Sequence, residues 1–332
     1  MMVNEYFLSG DIGGTKTLLQ INRGGDEHTP VLRQSYESAA HTSLAEIVAK
    51  FLTEAGIQKI SAACFALAGP VNGRVVKLTN LPWVVDAEAL ANQFTLQRVE
   101  LLNDFEAIGY GVSVLPPADL LTLQTGVETA EAPRLIVGAG TGLGVAWLSW
   151  QKGKYEVFPS EAGHMDFAAG DEMQSLLLRY LQKRHKHVSY ERIASGPGIQ
   201  AIFEFLRDDG FATPSEELKQ EIAKGDAAAA ITKFAVAGKE NIALMTVDLF
   251  LSVYGAFTGN LALATLPRGG IYIAGGIASK ITELLQGKVF MQSCLNKGRY
   301  QELLSTLPVH IVLNRNIGLI GANLYAQQLV LK

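Results

Sequence analysis

The run Val99-Glu100-Leu101-Leu102 ends on Asn103 and Asp104, and an apolar pattern of helical spacing (Phe105, Ile108, Val112, Leu115) begins at once. This predicts a strand that delivers an amide and a carboxylate to its C-terminal end, where α/β proteins gather ligand-binding groups. The same residues also fit a local role, with Asn103 as a helix N-cap, Glu106 completing a capping-box pair and Asp104 favoured by the helix dipole. A second polar group lies in Phe158-Pro159-Ser160-Glu161-Ala162-Gly163-His164-Met165-Asp166-Phe167, which reads as a loop crowded with hydrogen-bonding side chains. His164 with Glu161 is too small a set for zinc, and no second nearby histidine joins them. Glu191 stands just before Ser195-Gly196-Pro197-Gly198, a glycine-proline turn; taken alone it reads as a solvated helix residue.

Bare backbone supplies the rest. Gly10-Asp11-Ile12-Gly13-Gly14-Thr15-Lys16 falls between a short strand at 6–8 and an alternating one at 17–22. Three glycines with an embedded Asp and Thr exceed what a plain hairpin turn needs and suit close approach of backbone N–H groups to a ligand. Lys16-Thr17 copies the end of a Walker A motif, but Thr15 stands where that motif needs glycine and no helix follows. Gly138-Ala139-Gly140-Thr141-Gly142-Leu143-Gly144, roughly 128 residues later, repeats strand, glycine loop, strand, which points to two lobes on a duplicated plan. It lacks the spacing of a dinucleotide fingerprint. Two such hairpins set against each other would offer N–H donors to a polyphosphate from both sides. A third junction, Gly275-Gly276 after the apolar 271–274, opens a helical pattern at 281–285 and leaves room for a flat nucleobase.

The elements that must hold these groups follow from periodicity. Helices are expected at 44–52, 87–94, 173–181, 201–206, 216–223, 227–234, 242–266 and 317–329, and strands at 60–68, from 75, at 99–102 and at 309–313. The long Ala-rich helix at 242–266 is expected to cross a core. Pro116-Pro117-Ala118-Asp119 breaks the chain and marks a passage between lobes. Gly318 and Gly321 permit close packing of the last helix, which is expected to return to the first lobe. The expected division is therefore 1–115 plus roughly 314–332 in a small α/β lobe and 116–313 in a large α/β lobe.

With 28 Lys and Arg against 32 Asp and Glu, the net charge of −4 offers no basic surface, so no nucleic acid partner is expected. The cationic run at 183–187 follows a helical pattern and reads as a solvated helix end. The two cysteines, Cys64 and Cys294, lie far apart in apolar or helical patterns, which fits reduced thiols, and no Cys-x-x-Cys provides a thiolate zinc site. Met1-Met2-Val3-Asn4-Glu5 has no cationic n-region, and no stretch of about 18 uninterrupted apolar residues occurs. A cytoplasmic location with no membrane partner is the expectation.

In this order, the motifs as a set resemble the bacterial glucokinase family of the non-zinc type, within the hexokinase–actin–Hsp70 ATPase superfamily. The likeness runs from Gly10 to the C-terminal helix. A sister group with a cysteine-rich zinc site after its Gly-His is disfavoured, because Met165 to Leu181 holds no cysteine. Lys16 departs from the Asn that many members carry. The resemblance implies a two-lobe actin-like ATPase (ribonuclease H-like) fold with a cleft between a smaller N-terminal and a larger lobe. It implies transfer of the ATP γ-phosphoryl group to the 6-hydroxyl of D-glucose, giving glucose 6-phosphate and ADP, with Asp104 as general base. Asn103, Asp104, Glu161, His164 and Glu191 would hold the sugar. Gly10, Asp11, Ile12, Gly13, Gly14 and Thr15 would form the first phosphate loop, Gly140, Thr141 and Gly142 the second, and Gly275 and Gly276 the adenosine motif. Asp11 would meet Mg²⁺, through water, and the enzyme would be a homodimer. Rival readings are a kinase for another hexose, a sugar-responsive regulator, and a chaperone-like or actin-like ATPase; the last leaves Asn103, Glu161, His164 and Glu191 without a task.

Overall fold

The computed structural model describes residues 5–26, 28–57, 59–78 and 80–330. Residues 1–4, where no leader is expected, and Thr79, in the expected strand from 75, lie outside the described residues. The chain divides into two compact units, Met1–Pro116 with Tyr155–Pro159 and Asn316–Lys332, and Pro117–Lys154 with Ser160–Arg315. Tyr155–Pro159 thus groups with the first unit, although sequence alone places it in the second.

The first unit runs β1 (Tyr6–Ile12), β2 (Lys16–Arg23), β3 (Leu32–Glu37), α1 (Leu44–Ala55), β4 (Ala62–Leu67), β5 (Val75–Lys77), β6 (Val84–Asp86), α2 (Ala87–Gln93), β7 (Arg98–Asn103) and α3 (Asp104–Val112). The second runs β8 (Leu120–Gln124), β9 (Arg134–Ala139), β10 (Leu143–Gln151), α4 (Glu172–Gln182), α5 (Gly196–Asp208), α6 (Glu216–Ile222), α7 (Ala227–Val236), α8 (Asn241–Thr265), β12 (Ile271–Ala274), α9 (Thr282–Leu285), α10 (Lys288–Leu295), α11 (Gln301–Ser305) and β13 (Val309–Val312); β11 (Lys154–Ser160) follows β10 in the chain, but its Tyr155–Pro159 groups with the first unit. The last helix, α12 (Ile317–Val330), belongs to the first unit.

The first sheet has the order β3-β2-β1-β4-β7 and the second β11-β10-β9-β12-β13-β8. In both, a hairpin (β1–β2, β9–β10) pairs antiparallel while its first strand runs parallel to the next strand inward (β4, β12). The duplication read from the two glycine loops is thus a duplication of sheets. Parallel strands end on one edge, so β1, β4 and β7 bring Asp11, Leu67 and Asn103 to the same end of their sheet.

Several expectations need correction. Gly10, Asp11 and Ile12 are strand residues, because β1 is a central strand whose pairing with β2 and β4 continues to Ile12. Phe158, Pro159 and Ser160 close β11 instead of opening a loop. The Gly-Pro turn is the first turn of α5, capped by Ser195, whose Oγ accepts from Gly198 N–H at 3.2 Å, and Pro197 costs nothing there because an N-terminal N–H has no helical acceptor. β3, β6, β8 and β11 were not anticipated; β3 is an edge strand with exposed polar alternates, and β6 has three residues.

Glycines set the position of the two helices that frame the end of β7. A Cβ on Gly321 of α12 would stand 1.7 Å from the Ala107 carbonyl oxygen of α3, and one on Gly111 of α3 would stand 2.4 Å from the Ile317 oxygen of α12. Gly109 likewise leaves room for Val157, whose Cγ1 would be 2.5 Å away from a Cβ there. α3 is therefore seated closely on two sides, by backbone contact with α12 and by the Val157 side chain. In the second unit, α8 is long and apolar enough to cross a membrane, but 72% of its apolar window is buried. It is the core helix, with Tyr254 donating its hydroxyl to Val137 O of β9 at 3.1 Å. Cys64 and Cys294 are both free and buried.

Candidate active site

In the first unit the site begins at the β7–α3 corner. Asn103 caps α3 from extended backbone, its Oδ1 accepting from Phe105 N–H at 2.9 Å and Glu106 N–H at 3.3 Å. Its Nδ2 donates to Gly69 O at 2.9 Å, which ties the loop after β4 to the same corner. Most of the amide is thus engaged in structure, and one Nδ2 hydrogen remains for a ligand. Asp104 occupies the first helical position, half-buried, its Oδ1 accepting from Phe105 N–H at 2.9 Å. The helix cap and the candidate site pair expected from the sequence are the same residues.

Glu106 completes the capping box by accepting the Asn103 N–H. Burial pushes its carboxyl up to about 7, against the opposing pull of that backbone hydrogen bond. Cys64 of β4 faces it, and Tyr110 and Tyr325 stack beside it with ring centroids 4.8 Å apart. The sequence shows the cap partner but not its burial.

The first glycine hairpin is braced from outside. Gly13 N–H donates to Lys16 O at 2.9 Å, Ser38 Oγ donates to Gly13 O at 2.8 Å, and Ser38 N–H donates to Thr15 O at 3.0 Å. Gly10 contributes no open backbone: a Cβ there would meet Phe65 at 2.7 Å and Leu19 at 2.8 Å, so this glycine serves core packing, and the Ile12 side chain is buried as well. Gly14 makes room for Asn80, 2.9 Å from its ideal Cβ, a neighbour that no motif or spacing singles out. The hairpin therefore narrows to Gly14 and Thr15, whose N–H groups have no protein acceptor among the described residues. Lys16 is exposed. Asp11, last but one in β1, has its Oδ2 near Gly318 of α12, and burial raises its carboxyl above the usual carboxylate range. No cationic side chain pairs with it among the described residues.

In the second unit the hairpin turn behaves the same way with different braces. Gly140 N–H is consumed by Gly142 O at 2.8 Å, and Gly140 O accepts from Gly196 N–H at 2.8 Å. Leu143 N–H donates to Glu191 Oε2 at 2.9 Å. What remains is Thr141, exposed, and Gly142, again without a protein acceptor for either N–H among the described residues. Gly275 has φ +89° and lies against the end of β9, where a Cβ would be 2.5 Å from Ala139 O; Gly276 is exposed with open space above it. The junction expected to meet adenosine is thus fused to the strand that carries the second loop.

Glu161, His164 and Glu191 come together. His164 Nε2 stands 3.9 Å from Glu161 Oε2 and 4.0 Å from Glu191 Oε1. These gaps exceed a hydrogen bond, and a ligand hydroxyl at about 2.8 Å from two such groups fits between them. Glu161 and His164 sit on one 3₁₀ turn, where Gly163 is required because a Cβ would be 2.1 Å from Leu143 O. Vicinal hydroxyls, each both donor and acceptor, match a set of two carboxylates and an imidazole.

The glucokinase family model matches residues 8–329. The chain is 46% identical to a glucokinase of Nostoc sp., over 97% of this chain and 99% of that protein. It is 42% identical to a glucokinase of Synechocystis sp., over 97% and 98%. It superposes on the crystal structure of a glucokinase from an Antarctic psychrotroph with a TM-score of 0.83 at 29% identity, over 98% of this chain and 99% of the other.

Proposed function

The chain belongs to the glucokinase family, and from that premise we propose how its own residues move the ATP γ-phosphoryl group to the 6-hydroxyl of D-glucose, giving glucose 6-phosphate and ADP. Its fold is the two-lobe actin-like ATPase fold. The observation that carries the reading is Asp104, a carboxylate at the first position of a helix seated by glycine-tight contacts. Phosphoryl transfer leaves the protein chiefly positioning and electrostatic work, with one base for the acceptor proton. Asp104 aligns the 6-hydroxyl and takes its proton as the bond to phosphorus forms. Asn103 gives its remaining N–H to the sugar, and Glu161, His164 and Glu191 hold other hydroxyls. A site lined this way rejects sugars that leave its polar groups unpaired.

The N–H groups of Gly14 and Thr15 in the first unit and of Thr141 and Gly142 in the second hold phosphate oxygens, and the bare surface at Gly276 receives the nucleobase. A desolvated carboxylate with no cationic partner among the described residues fits a divalent ion, so Asp11 would hold Mg²⁺ through water. When bound, Mg²⁺ neutralises phosphate oxygens. Buried free thiols support a cytoplasmic location, and the family resemblance supports a homodimer acting in glycolysis.

Coupled measurement of ADP release with ATP and a panel of glucose, mannose, fructose and N-acetylglucosamine tests the substrate, with turnover on glucose expected to exceed the others. Asp104→Asn tests the base: kcat should fall by about 10²-fold or more with little change in glucose affinity. Near-normal turnover in that variant removes Asp104 from the role.

A further inference from the structure

We propose that Glu191 binds the sugar with one carboxylate oxygen and holds the second phosphate loop in shape with the other, so that a single side chain serves both substrates. This rests on the functional reading of that loop and of Glu191 given above. The loop is stapled to the Glu191–Gly196 segment at two points: Gly196 N–H donates to Gly140 O at 2.8 Å, and Leu143 N–H donates to Glu191 Oε2 at 2.9 Å. The two residues left between the staples, Thr141 and Gly142, are the ones with N–H groups to spare. Gly142 is glycine for this reason, since a Cβ would lie 2.6 Å from Glu191 Oε2 and push the carboxylate off Leu143.

The segment that carries Glu191 is itself fixed. Ser195 Oγ donates to Glu191 O at 2.6 Å and caps α5, so the staple is anchored on a helix start. The other oxygen, Oε1, points to the sugar side, 4.0 Å from His164 Nε2. Leu143 is the meeting point: its N–H is held by Glu191, and its carbonyl oxygen presses on Gly163 between Glu161 and His164. A hydrogen bond to an ionised acceptor is among the stronger ones, and its loss frees the end of the loop.

The test is titration of Mg²⁺-ADP without sugar, alongside steady-state KM for glucose. In Glu191→Ala, the nucleotide Kd should rise about 10-fold although no sugar is present. In Glu191→Gln the amide oxygen still accepts from Leu143, so nucleotide Kd should stay within about twofold of the parent while KM for glucose rises about 10-fold or more. Gly142→Ala, with Glu191 chemically intact but displaced, should weaken both substrates, and it decides the matter if Glu191→Ala does not fold. Unchanged nucleotide affinity in Glu191→Ala, or in Gly142→Ala where the former is unfolded, overturns the proposal; a raised KM for glucose in Glu191→Gln would leave the sugar role standing. Unchanged KM for glucose in every variant removes Glu191 from the sugar site instead.

Discussion

The position of Asp104 depends on a contact some distance from any substrate, and one methyl group tests it. In Gly321→Ala the new Cβ would lie 1.7 Å from Ala107 O, 2.6 Å from Gly111 N and 2.8 Å from Ala107 C. Carbon and carbonyl oxygen approach to about 3.3 Å, so α3 and α12 must part by roughly 1.6 Å. The carbonyl that is struck belongs to the first turn of α3, the turn that begins at Asp104. A misplacement of about 1 Å in a catalytic group costs about 10²-fold, so kcat should fall by that order. Overpacking costs about 1–3 kcal/mol, against about 1 kcal/mol gained by replacing a helical glycine, so the melting temperature should fall by a few degrees. Gly318→Ala is the control on the same helix: its Cβ would sit 3.8 Å from Asp11 Oδ2 and 4.0 Å from Ile108 Cγ1, ordinary contact distances. That variant should keep its stability or gain a little. Coupled kinetics and calorimetry on the two proteins decide the outcome. A Gly321→Ala enzyme with kcat within threefold of the parent and an unmoved melting temperature refutes the seating of α3 as the determinant of Asp104.

Two further outcomes follow from buried carboxyls. Burial raises Glu106 from 4.5 to about 7, so between those values the folded chain keeps a proton that the unfolded chain has released, and this group's contribution to stability falls as pH rises and is constant above 7. Glu106→Gln keeps an acceptor for Asn103 and should be more stable than the parent at pH 8 by at most about 3 kcal/mol, with the gain vanishing near pH 4.5; a pH-independent difference in melting temperature contradicts this. Asp11→Asn removes a carboxylate whose ionisation burial opposes, so it should raise thermal stability at pH 8 without Mg²⁺ while requiring more Mg²⁺ for half-maximal turnover. An unchanged Mg²⁺ requirement takes Asp11 out of the metal's environment.

The strand ends, the two hairpins and the long core helix were legible because each has a strong local signal: an apolar run meeting polar residues, glycines between alternating segments, or a long apolar period. Whether a glycine serves a ligand or its own core was not legible. Gly10 and Gly142 look alike in sequence, yet one clears Phe65 and Leu19 while the other clears a carboxylate, and only tertiary contacts distinguish them. β3 escaped notice because an edge strand alternates weakly, and β11 because Pro159 argues against a strand unless it lies at an edge. Asn103 was ambiguous for a deeper reason. A strand end that is also a helix start must spend its side chain on capping, and the same geometry presents the next residue to a ligand.

The two hairpins share a plan but differ in what holds them. The first is braced by Ser38, whose buried hydroxyl and amide engage Gly13 and Thr15, with Thr17 Oγ1 3.0 Å from the Ser38 hydroxyl. Ser38 and Thr17 are neutral and fully buried, so neither presents a charged oxygen to a ligand. The second is braced by a half-exposed carboxylate with one oxygen turned away from the loop. A sugar hydroxyl on that oxygen would orient the carboxylate that fixes Leu143, whereas among the described residues no carboxylate braces Gly14 and Thr15. Duplication supplied two loops of one shape; on the roles proposed above, unequal bracing leaves the first preorganised and would make the second the one through which sugar occupancy reaches the nucleotide.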